Sequence, residues 1–199
     1  MPEKYNNDFE IFRKDENFFG RSFSYWIDRW WNWLVSIPKD RNPALDSTGE
    51  HADENQRYEL FFLAGKDGKA ERRCVIPLNK PIFFPITATQ ATLAKYNTYP
   101  SKLLEIAKSK QNNVKEMKLK IDNILIQGLD NFRMVNDGFT LTVPFDNILN
   151  LPSGTTQAVS DGRWILLRFL HASEHVIEFV AREVEPDVIT KVTYHLTIK

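Results

Sequence analysis

Residues 164–198 read WILLRFLHASEHVIEFVAREVEPDVITKVTYHLTI, and the dominant period in this stretch is two. Ile177, Phe179 and Ala181 form one apolar row, and Val192, Tyr194, Leu196 and Ile198 form another. Alternation of this kind turns one side of a strand toward a core and the other outward. Trp164 to Phe169 is a shorter apolar run, and Glu183 to Asp187 carries the turn between the last two strands. Three strands within so short a segment make the fold mainly β.

The same grammar extends toward the N-terminus. Phe139, Leu141 and Val143 alternate with Thr140 and Thr142, and Met117, Leu119 and Ile121 with Lys118 and Lys120. Asp122-Asn123 then suits a two-residue turn before Ile124 to Ile126. Ile82 to Ile86 contains Pro85 and follows Pro81, which predicts an edge or bulged strand. Tyr58 to Ala64 and Glu71 to Pro77, separated by Gly65-Lys66-Asp67-Gly68, predict a hairpin. Further turn signals stand at Asn136-Asp137-Gly138, Pro152-Ser153-Gly154 and Asp161-Gly162. Eight or more short strands with such punctuation predict a β-sandwich, jelly-roll or immunoglobulin-like.

Two segments break the pattern. From Ser22 to Ile37, Phe23, Trp26, Ile27, Trp30, Trp31 and Leu34 follow the spacing of one buried helical face, with Asp28, Arg29, Asn32 and Ser36 opposite. Ser22 is a start signal and Pro38 a stop. A further helix is expected over about Ser101 to Lys110. Residues 1–20 read as an N-terminal arm, and residues 21–199 as a single sandwich domain with helices packed on it.

Composition narrows the function classes. Lys plus Arg and Asp plus Glu number 26 each, and aromatic residues make up 13% of the 199. A phosphate-tracking domain would be basic and a disordered one poorer in aromatics, so neither nucleic acid nor an anionic membrane is an expected partner. Zero net charge leaves little repulsion between copies, which favours self-association or a protein partner. A C-terminal strand ending at Lys199 would offer an edge for it. The longest apolar runs fall far short of the ~20 residues that cross a bilayer. No leader-like apolar segment stands near Met1, so the chain is expected to be soluble, and cytoplasmic unless a leader has been removed.

The four histidines are His51, His171, His175 and His195. His171-x-x-x-His175 has a helical ligand spacing but strand-like flanks, so no metal is assigned to it. Parity sends His175 and His195 to opposite faces of their sheet, with His175 half-buried and His195 at the surface. The loop from Asn42 to Arg57 is the first choice for a site, because it concentrates Asp46, Thr48, His51 and Gln56, with Arg73 nearby. Such residues could form an oxygen-rich cation site or a polar pocket; the plainer reading is a solvated loop pinned by Asx turns. Cys74, in a strand between Arg73 and Val75, reads as a structural thiol. The five tryptophans invite a carbohydrate-binding reading, although four, Trp26, Trp30, Trp31 and Trp33, sit in the amphipathic helix, where core packing is the simpler account. No cofactor is implied, and G-x-S-x-G, phosphate-loop and G-x-G-x-x-G motifs are absent.

Several blocks resemble an uncharacterised family of bacterial and archaeal proteins, many carrying secretory leaders. They are W-W-N-W-L-V-S-I-P (Trp30 to Pro38), N-P-A-L-D-S-T-G (Asn42 to Gly49), F-F-L-A-G (Phe61 to Gly65), R-R-C-V-I-P (Arg72 to Pro77) and S-D-G-R-W-I-L-L (Ser160 to Leu167). The resemblance implies no known activity. The family often places a Cys soon after the D-x-T-G stretch, where this chain has His51-Ala52-Asp53. That leaves Cys74 without such a partner and fits a reducing compartment. The last third also looks like the end of an immunoglobulin-like domain. The leading expectation is a non-catalytic binding or assembly protein. A hydrolase or metal-assisted enzyme using the loop at residues 42–57 is the alternative, and a carbohydrate-binding module the third option, so a small-molecule or glycan ligand stays open.

Overall fold

The computed structural model describes residues 2–5, 8–184 and 186–199. In chain order the elements are β1 (Glu3–Tyr5), β2 (Phe9–Ile11), α1 (Phe23–Ser36), β3 (Phe61–Phe62), β4 (Gly68–Ile76), β5 (Ile82–Thr92), α2 (Leu93–Tyr96) and α3 (Pro100–Asn112). There follow β6 (Val114–Ile121), β7 (Ile124–Leu125), β8 (Arg133–Val143), β9 (Gly154–Phe169), β10 (Glu174–Val184) and β11 (Asp187–Ile198). The fold is mainly β, with two open sheets.

The first sheet is built on β9. Along one side it pairs with β5, and β3 lies beyond β5 in parallel. Its other side is shared by β2, at Leu167 to Phe169, and β8, at Gly154 to Arg163. The second sheet runs β4-β11-β10-β6-β7. The two share a core: Phe84, Ile165 and Leu167 from the first meet Leu119, Phe179 and Leu196 from the second.

The opposite face of the first sheet is covered by α1, whose Trp26, Trp30, Trp33 and Leu34 pack with Phe62, Phe83, Trp164 and Leu166. The α1 spacing predicted this burial, and Ser22 caps the helix by accepting a hydrogen bond from the Tyr25 N–H. Helix α3 covers the end of β9 that the second sheet leaves open, through Leu103 and Ala107 against Ala91 and Val159. With cover on both faces, β9 is buried without a break from Ala158 to Leu167.

Four expectations need correction. Tyr58 to Ala64 and Glu71 to Pro77 do not form a hairpin, because β3 and β4 belong to different sheets. The run Leu60 to Ala64 is buried on both faces, so no alternation ties it to a hairpin partner. Strand β5 is not an edge; it sits between β9 and β3. It is bulged, as expected, where Pro85 has no N–H for the ladder and Ile86 is the extra residue. Asp161-Gly162 is not a turn but the middle of β9, and Asn136-Asp137-Gly138 is a bulge in β8. Strand β11 is not an available edge, since β4 and β10 flank it. The Asp122-Asn123 turn is present, both residues having φ in the left-handed region, 49° and 67°.

Candidate ligand-binding cleft

The β5 bulge, α1 and the β10–β11 hairpin line a cleft of about 390 Å³. Trp30, Trp31 and Leu34 of α1 and the Pro85 to Ala88 bulge form apolar walls, joined by Ile148 and Leu149 from the β8–β9 loop. Asp67, Glu183 and Thr190 stand at the polar side, with Lys66, whose Nζ donates to the Leu45 carbonyl at 2.7 Å. The volume and the mixture of apolar lining with few polar groups suit a small ligand. Burial pushes the Glu183 carboxyl above the ordinary carboxylate range; Lys110 acts against that shift and Asp67 adds to it.

A buried arginine holds the neighbouring wall. The Arg72 Nη1 donates to the Ala64 carbonyl at 2.5 Å and the Tyr194 hydroxyl at 2.6 Å, while Nε and Nη2 donate to the Asp46 carbonyl at 3.0 and 2.6 Å. Arg72 has no carboxylate partner among the described residues; backbone carbonyls and a hydroxyl satisfy it instead. Burial raises the Tyr194 hydroxyl pKa, against the pull of Arg72. One guanidinium thereby ties the loop, the end of β3 and β11 together.

The loop residues chosen from the sequence divide into two groups. Asp46, Thr48 and His51 converge: Asp46 Oδ1 accepts from the Thr48 N–H and hydroxyl at 2.7 and 2.9 Å, and Oδ2 from the His51 N–H at 3.1 Å. Burial alone would raise the Asp46 carboxyl, but the Thr48, His51 and Gly49 donors outweigh it and leave it below its ordinary value. Gln56 and Arg73 do not join them. The Thr48 and Ser47 carbonyls accept from the Arg73 and Glu71 N–H groups, which lays the loop along the edge of β4. Gly49 lies so close to that edge that a Cβ would stand 2.4 Å from the Arg73 carbonyl oxygen. Arg73 itself is exposed. The loop contributes Ala44 and Leu45 to the cleft rather than its carboxylates.

Gln56 closes a sheet edge. Its side chain accepts from the Phe62 N–H at 2.9 Å and donates to the Phe62 carbonyl at 2.8 Å, the two bonds a neighbouring strand would make to β3. Asn32 does the same for β8, accepting from the Thr142 N–H and donating to the Thr140 carbonyl, both at 3.0 Å. These carboxamides occupy ladder positions that would otherwise recruit another strand.

The remaining chemistry-bearing side chains are accounted for locally. Cys74 is half-buried, and desolvation first, with Asp53 second, pushes its thiol up to about 12, against the pull of Arg72. His175 and His195 point to opposite faces as parity requires. The former is buried with Nδ1 2.6 Å from Asp122, and the latter meets Glu71 at 3.0 Å. His171 lies outside any helix, and no group of three or more His, Cys, Asp or Glu among the described residues is placed to hold a metal ion. All five indoles are buried, the packing expected of them. Sequence reasoning missed Asp67 and Glu183. The proline inside the β5 run was the available signal, because a bulge re-aims the side chains around it.

No family model matches the chain, and no curated protein matches it. Among solved structures it is similar to the cysteine protease inhibitor EhICP2 from Entamoeba histolytica, at 12% identity over 67% of this chain and 88% of that one, with a TM-score of 0.25. It is also similar to PbICP-C in complex with falcipain-2, at 8% identity over 69% and 98%, with a TM-score of 0.28. Superpositions this poor establish neither a shared fold nor a shared function.

Proposed function

We propose that this protein is a non-catalytic binding protein with a β-sandwich architecture, and that its cleft takes a small molecule with an apolar body and a basic group. The observation that carries this reading is the pairing of apolar walls with the carboxylates of Glu183 and Asp67 in one cavity. A cation entering there relieves the crowding of two like charges while its apolar body stays against α1 and the β5 bulge.

Phenethylamine titrated against intrinsic fluorescence tests the reading, because Trp30 and Trp31 line the cavity. Saturable change is expected, with affinity reduced roughly fivefold or more by Glu183→Gln, the loss of one charge-assisted hydrogen bond. Ala88→Leu, which narrows the cleft, should weaken binding without removing the charge. Absence of a saturable response in the wild-type protein would sink the proposal.

A further inference from the structure

We propose a second binding site, independent of the cleft: the groove between the polar face of α1 and the end of β8, for a small molecule carrying two or more anionic groups. Two adjoining hollows of about 510 and 340 Å³ make up this groove, and they share Ser36, Asn55 and Arg57. Arg29 lines the first hollow and Arg41 the second; their carboxylate partners are Asp28 and Glu54, so the guanidinium groups exceed the carboxylates by one, that of Arg57. The whole chain is charge-neutral, which makes the local excess a property of this surface.

The three arginines differ in their engagement. Arg57 is exposed and has no ion pair among the described residues. Arg41 meets Glu54 at 3.1 Å with about half of its side chain in solvent, a kind of pair that contributes little and yields easily to a competing anion. Arg29 is oriented, paired with Asp28 at 2.8 Å and lying over the Tyr25 ring at 5.1 Å. A planar fork of donors matches carboxylate and phosphate oxygens alike, and Arg57, common to both hollows, can bridge two anionic groups.

The groove is also held in shape before any ligand arrives. Trp33 Nε1 donates to the Glu54 carbonyl at 2.9 Å, and Asn55 Nδ2 to the Ser36 hydroxyl at 3.0 Å, fastening the loop to α1. Asn55 adopts φ of 55°, a left-handed conformation that Asn tolerates better than most residues. On the far wall, Thr140 and Thr142 are fixed by Asn32. A preformed wall lowers the ordering cost of binding.

Isothermal titration of the full chain at low ionic strength, with citrate and tripolyphosphate as probes and acetate as the monoanion control, tests the site. At least one polyanion is expected to bind about tenfold or more tighter than acetate, since each additional charge-assisted contact adds to affinity. Citrate alone would identify carboxylate chemistry and tripolyphosphate alone phosphate chemistry. Arg57→Ala should reduce affinity about tenfold and Arg57→Lys less, because lysine keeps the charge but loses the fork. Arg57 is exposed, so the melting temperature of both variants should stay near wild type; Glu183→Gln, in the cleft, should bind the polyanion as wild type does. No measurable heat for either polyanion, or undiminished binding in Arg57→Ala, would overturn the proposal and leave the cleft reading standing.

Discussion

Strand β9 presents two buried faces that are stabilised in opposite ways. Toward α1 it offers Ala158, Trp164 and Leu166, and the cover is aromatic: Trp164 stacks on Phe83 at 5.3 Å between centroids and meets the edge of Trp30 at 5.2 Å. Toward α3 it offers Val159, packed with Leu103 and Ala107, and then Asp161 and Arg163, whose cover is polar. Arg133 grips Asp161 through Nε and Nη2, while Arg163 binds the Gln111 carbonyl and side chain and the Asp130 carboxylate. Gln111 then reaches the hydroxyls of Thr87 and Thr89. The aromatic face depends on filled volume, and the polar face on completed pairs.

The largest effects should come from breaking each face by its own rule. Trp164→Ala empties a fully buried site and should cost about 3–5 kcal/mol in urea unfolding. Arg133→Ala should cost about as much, roughly 3–5 kcal/mol, because Asp161 is 0% exposed and has no other side-chain partner among the described residues. Repair separates the two. Replacing both members of the pair, as Arg133→Met with Asp161→Leu, should recover most of the loss. If the double variant is no more stable than Arg133→Ala, the polar face is held by more than its charge pair.

A smaller effect is expected where β9 meets β5. A Cβ on Gly162 would stand 2.7 Å from the Ala88 Cβ and 2.8 Å from the Thr87 carbonyl oxygen. Gly162→Ala should therefore destabilise by about 1–3 kcal/mol, the usual range for overpacking. An unchanged urea midpoint would mean that the two strands part without cost.

The same contrast explains what could be read from the sequence. The α1 face was legible because Phe23, Trp26, Ile27, Trp30, Trp31 and Leu34 repeat at helical spacing, and periodicity reports apolar burial directly. The polar face was illegible because Asp161-Gly162, a charge beside a glycine, is the local signature of a turn. In the fold that acid is paired by β5 and β8 and by Arg133, 28 residues away, and a local pattern carries no pairing information. The candidate sites follow suit. Asp46 was visible as one of a polar cluster, whereas the cleft draws its lining from α1, β5, three loops and the β10–β11 hairpin.

Next in size are the two carboxamides that finish the first sheet. Asn32→Ala and Gln56→Ala each remove two hydrogen bonds to a strand edge, worth about 1–3 kcal/mol together. Each variant should also self-associate more than wild type in light scattering, because a row of ladder groups is freed. Greater instability with no added association would limit their role to fastening α1 and the loop.

The smallest effects are those of pH, where Asp46 and Glu183 oppose each other. The Asp46 carboxyl is depressed in the folded state, so its contribution is complete above the ordinary carboxylate pKa and is lost as pH falls through the depressed folded value. The Glu183 carboxyl is raised, so its contribution is complete below the ordinary value and is lost as pH rises through the raised one. Melting temperatures measured from acid to neutral pH should separate them. Asp46→Asn should lower stability most at neutral pH and converge on wild type in acid, whereas Glu183→Gln should raise it at neutral pH and converge in acid. The difference follows from surroundings: Asp46 meets several N–H and O–H groups, whereas Glu183 is desolvated by burial, with Asp67 adding to the shift. A basic ligand in that cleft should therefore reduce the pH dependence of wild type toward that of Glu183→Gln, and failure to do so would place the ligand elsewhere.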